Sequence, residues 1–123
     1  MAVRRFEMTV VTDGAGAATA FSPYVSGYIE EINYIKTDYA AGVDFTITAE
    51  ATGETIWTQV GVNASVVVAP RQATHTTAGV ASLYAGGGTA VNTRIALGRD
   101  RVKIVLAQGG ATKTGKFIIL VSD

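Results

Sequence analysis

Val43-Asp44-Phe45-Thr46-Ile47-Thr48-Ala49-Glu50, then Ala51-Thr52-Gly53-Glu54, then Thr55-Ile56-Trp57-Thr58-Gln59-Val60-Gly61-Val62, is the stretch whose reading decides the fold. Val43, Phe45, Ile47 and Ala49 alternate with Asp44, Thr46, Thr48 and Glu50, a period of two that buries one face of a strand and wets the other. Ala51 to Glu54 supplies a tight turn. Ile56, Thr58, Val60 and Val62 then alternate with Trp57 and Gln59, so the stretch predicts a β-hairpin with Trp57 on the face opposite Ile56. It carries no catalytic motif.

The same reading extends outward. Phe6, Met8 and Val10 alternate with Glu7, Thr9 and Val11 before a turn at Asp13-Gly14. Ala17 to Phe21 is a short strand ended by Pro23, which cannot donate to a ladder. Tyr28 to Lys36 is extended, with Ile29 and Ile35 on one face and Ile32 and Tyr34 on the other. Ala64 to Ala69 stops at Pro70. Ile95 to Leu97 precedes a turn at Gly98-Arg99-Asp100, and Val102, Ile104 and Leu106 alternate before a Gln108 to Gly115 loop and a closing strand, Lys116 to Val121. About eight or nine strands with short turns predict one all-β domain over residues 1–123, an antiparallel β-sandwich of jelly-roll type.

Composition narrows the function classes. Ten basic and ten acidic side chains cancel, so no overall field draws the chain to nucleic acid or to an anionic membrane surface. No run approaches the ~18 apolar residues of a membrane span, and Arg4, Arg5 and Glu7 stand where a signal peptide would be apolar. The expectation is a protein made in the cytosol that stays soluble. Charged residues are 16% of the chain, below the usual figure of about 25%; either Ala and Gly inflate the hydrophobic share of 48% or much of the outer surface is covered by other subunits. The chain has no cysteine.

Several patterns imitate active motifs. Gly110-Ala111-Thr112-Lys113-Thr114-Gly115-Lys116 fits G-x-x-x-x-G-K, yet Phe117 stands where Ser or Thr would hold magnesium and a strand follows instead of a helix. Asp13 to Ala20 is glycine-rich like a dinucleotide fingerprint, but Pro23 arrives before a crossover helix forms. His75 is the only histidine, so no histidine metal cluster assembles within one chain and no catalytic triad accompanies it. Glu30 and Glu31 are neighbours in a strand and point to opposite faces. Trp57 with Tyr24, Tyr28, Tyr34, Tyr39 and Tyr84 is a possible stacking platform for sugars, but no cluster of polar partners stands near Trp57 and core packing or a subunit contact explains it better. The reading contains no catalytic residue, no cofactor site and no metal site.

Two stretches suggest contacts with partners. Arg71 to Gly88 is a long loop, rich in Thr, Ala and Gly, with a short helical turn expected around Ala78 to Tyr84; loops of this length in compact domains are usually functional or disordered. Met1 to Arg5 is expected as an arm reaching a neighbour. The residues expected to make contact are Arg4, Arg5, Arg71, His75, Leu83 and Tyr84. Phe117-Ile118-Ile119-Leu120-Val121 is continuously apolar, so both of its faces need cover.

Gly42-Val43-Asp44-Phe45-Thr46-Ile47-Thr48 with Ala49-Glu50-Ala51-Thr52-Gly53-Glu54, Pro70-Arg71-Gln72-Ala73-Thr74-His75 and Ala107-Gln108-Gly109-Gly110 resemble a group of small virion proteins of tailed bacteriophages, over nearly the whole chain. The resemblance implies a non-enzymatic structural protein, made in the host cytoplasm and placed on the capsid surface. It would decorate or cement the shell by binding the major capsid protein, as a homo-oligomer with a trimer favoured. It brings no functional residues with it. A neck or tail ring component of the virion, and a carbohydrate-binding β-sandwich module, are the alternative readings.

Overall fold

The computed structural model describes residues 2–123. Ten strands run β1 (Val3–Val11), β2 (Ala18–Phe21), β3 (Val25–Lys36), β4 (Val43–Ala49), β5 (Thr55–Val62), β6 (Val66–Val68), β7 (Arg71–Ala73), β8 (Asn92–Asp100), β9 (Val102–Ala107) and β10 (Thr114–Ser122), with no helix among the described residues. The count exceeds eight or nine because β6 and β7 are three-residue pieces too short to show periodicity. All pairings are antiparallel.

One sheet has the order β1-β10-β3-β8-β7, and the other β2-β9-β4-β5. The later half of β3, Ile32 to Tyr34, leaves β8 and pairs with β6 instead. The pairs β1/β10, β2/β9, β3/β8 and β4/β5 are nested about the hairpin at Ala51–Glu54, which is the double Greek-key connectivity of a jelly roll. The chain is therefore an antiparallel β-sandwich.

Alternation generates the core between the sheets. Val43, Phe45, Ile47 and Ala49 of β4, Val102, Ile104 and Leu106 of β9, and Phe117, Ile119 and Val121 of β10 are all buried in one cluster. Phe45 sits 5.3 Å edge-on from Phe117 and 5.2 Å from Tyr34, joining the second sheet to the first. The continuously apolar β10 is explained by its place between β1 and β3, with Ile118 and Leu120 half-buried on the outer face.

Bulges overturn three assignments. One extra residue in β3 at Glu30 turns Ile29, Ile32 and Tyr34 all inward, leaves Ile35 exposed and sets Glu30 and Glu31 both half-buried rather than one on each face. In β5 the register shifts at Ile56 and again at Gly61. The first shift brings Trp57 opposite Ile47, on the inward face, where its ring packs 4.8 Å from Phe45; Thr58 and Val60 are left exposed, Val60 at 78%. Gly61, at φ +66°, makes the second shift possible, and its N–H donates to Asp44. The expected turn at Gly98-Arg99-Asp100 is likewise a bulge within β8, with Arg99 at φ +47°.

The N-terminal arm is also corrected. Val3, Arg4 and Arg5 lie in β1, opposite Ser122, Val121 and Leu120, because β10 offers them a ladder; Met1 lies outside the described residues. No helical turn forms at Ala78 to Tyr84, where backbone bonds are strand-like.

Tyr34 and Tyr39 are stacked in the core, 6.2 Å apart. Tyr39 donates to the Val10 carbonyl, whereas the Tyr34 hydroxyl has no partner among the described residues. A buried unpaired hydroxyl costs about 1–3 kcal/mol, so Tyr34→Phe is expected to raise unfolding free energy by about 1 kcal/mol; a loss in urea denaturation overturns this. Burial, reinforced by Tyr34, pushes the Tyr39 phenol well above its usual value. A raised pKa gives stability that is complete below the unfolded value, about 10 for tyrosine, and lost as pH climbs past it. The urea midpoint should therefore hold to about pH 9 and fall above about pH 10, and the fall should be shallower in Tyr39→Phe.

Candidate functional site

From Gln72 to Thr93 the chain has no Asp, Glu, Lys or Arg. No residue between Thr74 and Val91 joins the core cluster. This arm leaves the edge of the larger sheet and folds on its own backbone. Thr74 N–H donates to Val91 O, Ser82 N–H to Thr74 O and Val91 N–H to Ser82 O, while Thr76 and Val80, and Tyr84 and Thr89, close two turns at its far end. A segment without a core of its own ordinarily lacks the apolar burial to offset its ordering entropy. Here the backbone ladder and a fixed base supply the order.

Arginines hold that base. Arg71 Nη1 donates to the carbonyls of Ile29 (3.3 Å), Glu30 (3.2 Å) and Pro70 (2.8 Å). Arg94 reaches Glu30 at 3.2 Å and Ser122 Oγ at 3.3 Å, with its guanidinium 4.4 Å over the Tyr28 ring. β7 pairs with the first residues of β8 between them. At the far end Val80, Leu83 and Tyr84 are exposed at 62%, 44% and 75%. The arm thus presents uncharged, partly apolar side chains on a tethered frame, a surface that loses little by giving up water.

The six expected contact residues fall into separate places. Leu83 and Tyr84 lie on the arm's exposed surface. His75 is exposed beside them and forms a backbone bridge with Ala81. Arg71 is an anchor at the base. Arg4 and Arg5 lie on β1, at the opposite edge of the same sheet; Arg4 is held within the chain by Ser26 O at 2.6 Å and Asp123 at 3.7 Å.

A cluster that the sequence reading missed stands at the end of the sandwich where β2, β4 and β8 finish. Arg101 clasps Glu50 through two bonds of 2.6 and 2.8 Å, and its guanidinium lies 4.0 Å over Phe21 and 5.3 Å from Tyr24. The hydrogen bond from Arg101 holds the Glu50 carboxyl below the usual range. Asp100, buried at this corner, accepts the N–H groups of Ala51 and Arg101. These polar groups satisfy one another. Only the wide spacing of Phe21, Glu50 and Arg101 along the chain concealed them, since nested pairing brings them together.

The two glycine-rich motifs meet at the other end. Gly109 N–H donates to Gly16 O at 2.9 Å, and Thr112 N–H to Asp13 O at 3.0 Å. Gly115 lacks a side chain because the Tyr39 ring lies where its Cβ would stand, 2.1 Å away. Trp57 is half-buried and its Nε1 donates to Gln59. Among the described residues no three metal-ligating side chains gather.

Compared with known proteins, the chain matches no family model and no curated protein.

The division into base and surface has a direct test. Leu83→Ser with Tyr84→Ser should change unfolding free energy by less than about 0.5 kcal/mol, as exposed substitutions do. Arg71→Ala should cost about 1–2 kcal/mol, since it frees carbonyls that accept from a charged donor. Equal losses in chemical denaturation would show that the arm's surface is part of the core after all.

Proposed function

We propose that this protein is a non-enzymatic structural component of a phage virion that binds the lattice of the major capsid protein and reinforces the shell. The resemblance to small virion proteins suggests the setting, and one observation carries the contact. The arm from Gln72 to Thr93 has no charged side chain, adds no residue to the core cluster and exposes Val80, Leu83 and Tyr84. A tyrosine on a preformed frame loses little conformational freedom on docking and is enriched at contact centres, and Val80 and Leu83 add apolar area beside it.

The work done on the shell is mass action. A subunit that binds the assembled lattice and not its dissociated parts adds its binding free energy to the lattice, about 2.7 kcal/mol at a free concentration one hundred times the dissociation constant. Many sites make the sum large.

Particles lacking the protein should release their genome at lower temperature and milder osmotic shock than complete ones. Adding back the purified protein should restore them, while the Leu83→Ser, Tyr84→Ser variant, though folded, should not. Equal resistance with and without the protein would remove the reinforcing role. Its location in a single ring at the neck or tail of imaged particles would move it to the connector.

A further inference from the structure

The five edge strands are not alike, and β6, which pairs with β3 beside the main path of the larger sheet, is only three residues long. β2 is four residues long and stops before Pro23, β7 is three residues, and β5 is broken by bulges at Ile56 and Gly61. Each is a protected edge. β1 runs nine residues from Val3 to Val11 with no proline and no register shift, and pairs only with β10.

Its ladder is directional. Thr12 N–H donates to Lys113 O, and Asp123 N–H to Ala2 O. In an antiparallel pair such bonds fall on alternate residues, so even-numbered residues of β1 face β10. Val3, Arg5, Glu7, Thr9 and Val11 turn their N–H and C=O groups outward. Their side chains are all exposed.

We infer that β1 pairs antiparallel with β1 of a second copy of this chain, about a two-fold axis at Phe6, joining the two larger sheets into one. Charge selects that axis. Outward backbone groups pair only with outward ones, which puts the axis on a residue of β1. An axis at Arg5 sets Arg5 against Arg5, and one at Glu7 sets Glu7 against Glu7. An axis at Phe6 sets Arg5 against Glu7 twice, and opposite charges directly across a ladder are favourable where like charges are not. It also brings Phe6, half-buried at the rim of the core, against Phe6 of the second copy at the close spacing of a non-hydrogen-bonded pair. Val3 then faces Thr9. Glu7 already accepts Lys116 at 2.8 Å and has a second oxygen for the arriving guanidinium. A two-fold contact of this kind is self-complementary and closes at two copies, so the dimer, not a trimer, is the smallest assembly it makes. It does not depend on the virion reading.

Sedimentation of the full chain over a range of concentrations tests this. Wild type should dimerise, and Arg5→Glu or Glu7→Arg alone should weaken the dimer about tenfold or more, because each creates two like-charge pairs. Mixing the two variants should recover a one-to-one heterodimer, since introduced carboxylates then face introduced guanidiniums and the native pair is restored alongside. Thr9→Pro removes an outward N–H without touching the β10 ladder and should also abolish the dimer, with the melting transition confirming that each variant folds. A wild-type chain that stays monomeric, a dimer indifferent to these substitutions, or a mixture that remains monomeric would overturn the proposal.

Discussion

The contact of Phe45 with Phe117 and Tyr34 is the constraint on which the sandwich rests. Phe45 lies in the innermost pair of the nest, β4/β5, and Phe117 in the outermost, β1/β10, so one aromatic cluster closes the middle of the chain against its final strand. Such ring pairs contribute roughly 0.5–1.5 kcal/mol beyond the area they bury. Their geometry also sets the spacing of the sheets, and the corner at Asp100 and Arg101 follows from it. β8 ends in one sheet and β9 begins in the other with a single residue between them. That crossing needs Asp100 to hold the backbone of Ala51 and Arg101 from within.

Strands whose ladders are regular were legible in the sequence. β9 keeps strict alternation, and its burial follows it residue by residue. β3 and β5 were misread for one reason: an inserted residue shifts every later side chain to the other face, and nothing in a local pattern announces it. Glu30 and Ile56 gave no sign. Gly61 did, since an isolated glycine within a strand pattern marks a bulge. Trp57 shows the consequence: counting sets it on the face opposite Ile56, yet the extra residue lets both turn inward, and Trp57 packs on Phe45 as the core contact favoured for its ring.

For the interaction surface, composition was the readable part. The stretch from Arg71 to Gly88, rich in Thr, Ala and Gly, was visible as a loop longer than a compact domain ordinarily needs, and Leu83 and Tyr84 within it are exposed. What could not be read was its anchoring, because Arg71 bonds to carbonyls in β3 and Arg94 to Glu30, and such contacts exist only once β3 and β8 lie side by side. Arg4 and Arg5 were read as an arm and not as a strand for the opposite reason. A terminal stretch with two arginines looks free until a partner strand more than a hundred residues later is set beside it.

The nesting of the pairs has a kinetic side. β4 and β5 meet across a five-residue connection, but each further pair spans a longer loop, and β1 has no ladder at all until β10 inserts between it and β3. Loop closure must be met before such distant contacts give anything back, which makes folding of this topology slow. Until that insertion the apolar run Phe117 to Val121 stands uncovered on both faces, so the strand that completes the sandwich is also the one that needs shielding while the rest of the chain waits for it.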